Sequence, residues 1–138
     1  MNVSVFFDTN VLIYSISRDP AEATKRERAI ALLERDDGAV SIQVLQEFYT
    51  QATRQTRPHR LSHEMAVGLI RAWTRFRVQD MTLGLLDAAL EIRVTHRFSY
   101  WDCAIIAAAR ALGCRELYTE DMSHGREVEG VLIINPFR

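Results

Sequence analysis

The chain has little of what marks disulfide scaffolds, flexible linkers or metal clips. Two cysteines, Cys103 and Cys114, stand among 138 residues. Without a CxxC pair they supply no disulfide framework, and both read as small core residues. Three prolines and six glycines leave no low-complexity segment and no linker. No apolar run reaches the roughly 18 residues of a membrane helix. Asp8 and Asn10 interrupt the N-terminal apolar stretch and no basic region precedes it. A signal peptide is therefore not expected, and a cytoplasmic protein is. HExxH, glycine-rich phosphate loops and a GxSxG elbow are missing. His59 and His63 have i, i+4 spacing, but Leu61-Ser62 between them reads as a loop-to-helix boundary, so a histidine metal site is not expected.

Charge of one sign is also lacking overall: the formal net charge is −1. Its distribution is uneven. Six arginines (54, 57, 60, 71, 75, 77) face one acid, Glu64, between Arg54 and Arg77, whereas five acids face two arginines between Arg115 and Glu129. One stretch can meet phosphates while the other gathers carboxylates, although solvated helix faces give the same counts. Lys25 is the one lysine among 17 basic residues.

What is present is a regular alternation. Val3 to Phe7 is a run of β-formers ending at Asp8 and reads as a buried strand. Val11 to Ser17 follows as a short helix, and Asp19-Pro20 opens an amphipathic helix over Ala21 to Arg35. Asp37-Gly38 reads as a turn and Ala39 to Ile42 as a strand. Val44, Leu45, Phe48 and Ala52 stripe the next helix until Pro58. Ser62 to Phe76 is helical with Ser62 as a candidate cap, Arg77 to Met81 a brief strand, and Thr82 to Val94 a further helix. Tyr100 to Leu112 is nearly apolar all round and reads as a buried helix stopped by Gly113. Glu116 to Thr119 and Val131 to Ile134 close the series as strands. This order predicts an α/β fold with an open, mostly parallel sheet covered on both faces. Its working site is expected at the carboxyl ends of the strands, where strand order reverses.

Four acids fall near such ends. Asp8 follows the first strand, and Asp121 follows Glu116 to Thr119. Asp102 lies in the first turn of the buried helix, and Glu47 sits within an apolar stripe. Each has a structural explanation of its own: a helix cap for Asp8, an acidic turn for Asp121, the helix dipole for Asp102, an arginine pair for Glu47. Together they come from four elements directed at one cleft. Close carboxylates repel, which raises their pKa or recruits a cation. An all-oxygen set suits Mg²⁺ or Mn²⁺, ions that activate water and stabilise a phosphodiester under in-line attack.

Phe7-Asp8-Thr9-Asn10-Val11-Leu12-Ile13-Tyr14, Ser41-Ile42-Gln43-Val44-Leu45-Gln46-Glu47-Phe48-Tyr49, Ser99-Tyr100-Trp101-Asp102-Cys103-Ala104-Ile105-Ile106 and Leu117-Tyr118-Thr119-Glu120-Asp121-Met122 occur in the order and spacing of the PIN-domain family. The chain resembles that family, and in particular its VapC-type toxins. Val131-Leu132-Ile133-Ile134-Asn135-Pro136-Phe137 resembles the closing strand. The resemblance implies one nuclease domain over residues 1–138, a three-layer α/β/α sandwich with about five strands. It implies Asp8, Glu47, Asp102 and Asp121 as metal-site and catalytic residues, with Asn10 and Thr119 in support. It also implies a Mg²⁺- or Mn²⁺-dependent endoribonuclease, a homodimer, and a small antitoxin partner. Arg54, Arg57 and Arg60 are candidates for contacts to the RNA backbone. Glu120 is an extra acid without an assigned role.

Two other readings compete. A non-catalytic PIN-like module would bind RNA or protein and be indifferent to chelators. A phosphatase using Asp8 as nucleophile would want a second aspartate two residues on, where this chain has Asn10.

Overall fold

A computed structural model describes residues 2–138. The chain opens with β1 (Val5–Phe7), all three side chains fully buried, and passes through Asp8 into α1 (Thr9–Ser15). Asp19 caps a single 3₁₀ turn (Pro20–Glu22) that leads into α2 (Ala23–Leu33). Then come β2 (Gly38–Ser41), α3 (Ile42–Ala52), α4 (His63–Trp73) and β3 (Arg77–Gln79). They are followed by α5 (Leu83–Thr95), α6 (Tyr100–Ala111), β4 (Glu116–Tyr118), β5 (Glu127–Val128) and β6 (Val131–Ile134). Serine and threonine start the later helices, Ser62 as the sequence suggests and Ser41, Thr82 and Ser99 besides: each accepts a hydrogen bond from the amide three residues on.

The strands form one sheet in the order β3-β2-β1-β4-β6-β5. All pairings are parallel except β5 with β6. The helices cover it in a three-layer α/β/α sandwich, with α1 packed on α2 and α3, and α5 on α6. The chain leaves β1 for β2 and β3 on one side and returns to β4 on the other. The switch of direction therefore lies between β1 and β4, and a ligand crevice is expected at their carboxyl ends.

Three details depart from the sequence-based expectation. The sheet has six strands rather than about five, because Glu127–Val128 folds back on Val131 and Leu132 as an antiparallel edge; two residues are too few to show a period. Gly38 opens β2 instead of ending a turn. A Cβ there would stand 2.6 Å from the Phe7 ring and 3.0 Å from that of Phe76, so glycine admits the Phe7–Phe76 contact at 5.6 Å between centroids. The helix α6 is buried from Cys103 to Ala109, but Trp101 at its start is 61% exposed. Both cysteines are buried and free. Among the described residues no helix is long and apolar enough to cross a membrane.

Candidate active site

The switch point between β1 and β4 opens into a cleft of about 330 Å³, with Asp8, Glu47, Asp102 and Asp121 on its walls. Four separate elements deliver these acids: the end of β1, the middle of α3, the first turn of α6 and the loop after β4. No histidine lines the cleft among the described residues.

Asp8 is the deepest. It is only 7% exposed, because the strand that carries it is central. Its Oδ1 accepts from the Thr9 amide at 2.7 Å and its Oδ2 from the Thr119 hydroxyl at 2.8 Å. The cap and the cleft acid, alternatives in the sequence, are thus the same carboxylate. Burial lifts its pKa to about 7; the two hydrogen bonds oppose that rise, and the nearby charges of Glu47 and Asp121 add to it.

The other acids are held by neutral polar groups. Glu47 Oε1 accepts from the Thr9 hydroxyl at 3.2 Å and from Gln43 Nε2 at 3.3 Å, one helical turn back. The same Gln43 nitrogen donates to the Trp101 carbonyl at 3.3 Å, tying α3 to the start of α6. Asn10 Nδ2 donates to Asp121 Oδ2 at 3.2 Å and to Thr119 Oγ1 at 3.1 Å, while Asn10 Oδ1 accepts from the Glu120 amide. Thr119 Oγ1 also accepts from the Asp121 amide at 3.1 Å. Asn10 and Thr119 therefore fasten the β4 loop to the β1 end. Asp102 follows the capped start of α6, its amide bonded to Ser99 Oγ. Partial burial raises its pKa, with a smaller push from the Asp121 charge.

Sequence reasoning gives Thr9 only the role of a candidate helix cap, and none to Gln43 or the Glu120 group. Gln43 has a signal, its position four residues before Glu47. Glu120 also lines the cleft but is already paired: Lys25 Nζ lies 2.6 Å from Oε2 and the Tyr14 hydroxyl donates to Oε1 at 2.5 Å. Lys25 and Tyr14 hold its pKa below the usual carboxylate range against the opposing effect of burial. Of the three arginines expected near RNA, Arg57 lines the cleft. Arg54 and Arg60 lie exposed in the same loop and are not among the lining residues.

The donor set fits a hard divalent cation. It is all oxygen, and the acid at the centre of the wall pays heavily for its own ionisation unless a positive charge joins it. As they stand, the acids line the cleft without converging: among the described residues no three acid, histidine or cysteine side chains are close enough to share an ion.

Comparison with known proteins agrees with this architecture. A toxin–antitoxin complex from Klebsiella pneumoniae is similar at 21% identity, covering 96% of this chain and 98% of that one with a TM-score of 0.71. VapC20 of Mycobacterium tuberculosis, a toxin that cleaves the sarcin–ricin loop, is 26% identical, with 86% and 92% covered and a TM-score of 0.65. FitAcB from Neisseria gonorrhoeae is 18% identical, with 96% and 98% covered and a TM-score of 0.67. A comparison with curated protein sequences gives no match. The PIN-domain model matches residues 5–126, a span that runs from β1 past Asp121, and the chain belongs to the PIN-domain family.

Proposed function

We propose that this chain, working as one domain over residues 1–138, is a metal-dependent endoribonuclease and the toxin of a toxin–antitoxin pair. One observation carries the reading: Asp8, Glu47, Asp102 and Asp121, delivered by four elements, line a single cleft at the sheet's switch point, with Glu22 and the lysine-paired Glu120 also on its walls. The similarity to toxins of the same family supports it, one of which cleaves the sarcin–ricin loop.

In this reading Asp8, Glu47, Asp102 and Asp121 hold Mg²⁺ or Mn²⁺. The bound ion supplies an activated water and neutralises charge on the phosphodiester. The chain's own groups prepare the site. Thr9 and Thr119 fix both oxygens of Asp8, and Gln43 and Thr9 fix Glu47. Asn10 aims Asp121 at the cleft. Among the described residues Arg57 is the one cation on the walls, and it meets an incoming phosphate.

An antitoxin is the proposed protein partner, since similar structures are toxin–antitoxin complexes. A homodimer is proposed as well. What supports it is the outer face of α5, where Leu83, Leu86, Leu90 and Val94 recur at helical spacing and are 74, 40, 47 and 89% exposed.

The test is cleavage of single-stranded RNA by the purified chain, before and after exhaustive chelation and with Mg²⁺, Mn²⁺ or Zn²⁺ added back. Chelation abolishes cleavage and Mg²⁺ or Mn²⁺ restores it. Zn²⁺ is not required, since its usual nitrogen and sulfur ligands are missing from the walls. Asp102→Asn, which removes a charge and little volume, abolishes cleavage while the protein stays folded. Full activity after chelation, or in a folded Asp102→Asn protein, refutes the reading; RNA binding without cleavage would make the chain a non-catalytic module.

A further inference from the structure

Beside the acidic cleft runs a second, shallower groove of about 290 Å³, lined by Gln43, Gln46, Glu47, Thr50 and Trp101. Gln43, Glu47 and Trp101 line both, so the two are continuous across the indole. A lone exposed apolar side chain needs no special explanation. Trp101 is set apart by its place. It is the residue before Asp102, it is 61% exposed, and it stands between the cleft that would hold the reacting phosphate and a groove of amide and hydroxyl groups that meets the cleft at Glu47.

Its position is also fixed. The backbone at 101 is held by Gln43 from α3, and the next amide is bound by Ser99. The Tyr100 ring lies edge-on at 5.1 Å. The groove carries no lysine or arginine, which makes it a poor phosphate site. An open aromatic face beside amide and hydroxyl groups is instead suited to a nucleobase, whose faces are apolar and whose edges carry donors and acceptors.

Resting on the ribonuclease reading above, we propose that Trp101 is a stacking platform for one unpaired base of the RNA substrate. A nucleotide next to the cleaved phosphate leaves its stack and lies on the indole, with Gln46 and Thr50 at the base edge. Arg57 and the acids then act on the backbone while Trp101 and the groove read shape and base. Substrates are single-stranded at that nucleotide, because a paired base cannot reach the indole.

The molecule provides its own probe. The other tryptophan, Trp73, is 7% exposed and packed at 4.7 Å on Phe48, so changes in tryptophan fluorescence on binding report Trp101. The full-length protein, with chelator present to stop cleavage and at low salt, is titrated with U6 and A6 single strands and with a short RNA duplex. The single strands quench the fluorescence and the duplex does not. Trp101→Ala abolishes the quench and weakens single-strand binding about tenfold. Trp101→Phe, which keeps an aromatic face, recovers most of the affinity. With metal restored, Trp101→Ala raises KM far more than it lowers kcat, and because the side chain is exposed the variant melts with the wild type.

Equal binding of single strands by wild type and Trp101→Ala overturns the platform, as does an equal quench by duplex. A quench that grows with protein concentration alone, showing the indole covered by a second copy, overturns it too. These results leave the nuclease reading untouched, since that reading stands or falls on chelation and Asp102→Asn. Conversely, single-strand quenching by a chain that cleaves nothing keeps the platform and overturns only the nuclease reading.

Discussion

The buried Asp8 sets a pH dependence that can be worked out before any substrate is known. Its carboxyl has a folded pKa of about 7 against 3.8 for the free group, chiefly because of burial. A raised acid binds more protons folded than unfolded, so ionising it destabilises the metal-free protein. The effect is absent well below pH 4, grows as pH rises, and is complete above pH 7. Three pH units at about 1.36 kcal/mol each make the full effect about 4 kcal/mol, of which about 3 kcal/mol falls between pH 5 and 8. For a domain of this size that corresponds to a fall in Tm on the order of 10 °C. Asp102 shifts the same way. The lowered acids Asp37 and Glu120 contribute stability that is present above their unfolded pKa and lost only in stronger acid, so they leave this window clear. A cation that binds only the folded form restores about 2.7 kcal/mol at 100 times its dissociation constant. The assay is a melting series from pH 5 to 8, with chelator and with Mg²⁺ or Mn²⁺. Asp8→Asn is the control, read by slope rather than level. Thr119 Oγ1 already accepts from Asn10 and Asp121 while donating to Asp8, so an amide nitrogen in place of Oδ2 would confront a hydroxyl with no lone pair to offer. The variant starts lower but loses its pH slope and its metal response. A wild-type Tm that is flat or rising from pH 5 to 8 without metal refutes the argument.

Three further outcomes follow from the same geometry. Replacing Arg54, Arg57 and Arg60 together weakens RNA binding across sequences and flattens its salt dependence, by about 0.7 in log–log slope for each phosphate that is no longer neutralised. Arg57→Ala alone accounts for most of that change, and filter binding at several salt concentrations checks it. Gly38→Ala lowers stability by about 1–3 kcal/mol in a denaturant titration, because the added methyl meets the Phe7 and Phe76 rings in a packed core. Leu90→Glu, in the middle of the apolar face of α5, shifts the protein to monomer in sedimentation without changing its far-UV circular dichroism.

The sheet and the acids are legible in the sequence for separate physical reasons. β1 is a short apolar run buried on both faces, as a central parallel strand must be, while β4 and β6 bury Leu117, Val131 and Ile133 and leave Leu132 exposed. Two helix starts are readable because Ser62 and Thr82 satisfy orphan amides that other residues would leave bare. Strand β5 is hidden because its pairing is set by the turn at Glu129 and Gly130, both at positive φ, and not by any pattern in Glu127–Val128. Gly38 reads as part of a turn, whereas its glycine answers a contact with Phe7 and Phe76, residues 31 and 38 positions away along the chain. Chain-distant partners explain the gaps in the site as well. Asp8 and Asp121 can be found as strand-end carboxylates, Asp102 as a helix-start one and Glu47 as an acid within an apolar stripe, but Asn10 and Thr119 become supports only once β1 and β4 lie side by side. Glu120 shows the converse. Adjacent to Asp121, equally acidic and on the same cleft wall, it is taken up by Lys25 and Tyr14, one on α2 and one on α1. What distinguishes a cation-binding acid from an ion-paired one is thus the charge of the group opposite. In this fold neutral Asn10, Thr9, Gln43 and Thr119 hold the cleft acids, while a lysine compensates Glu120. An acid held by neutral donors has no cation opposite it, and by that criterion Asp8, Glu47 and Asp121, with Asp102 beside them on the cleft wall, are the candidates for the proposed metal site.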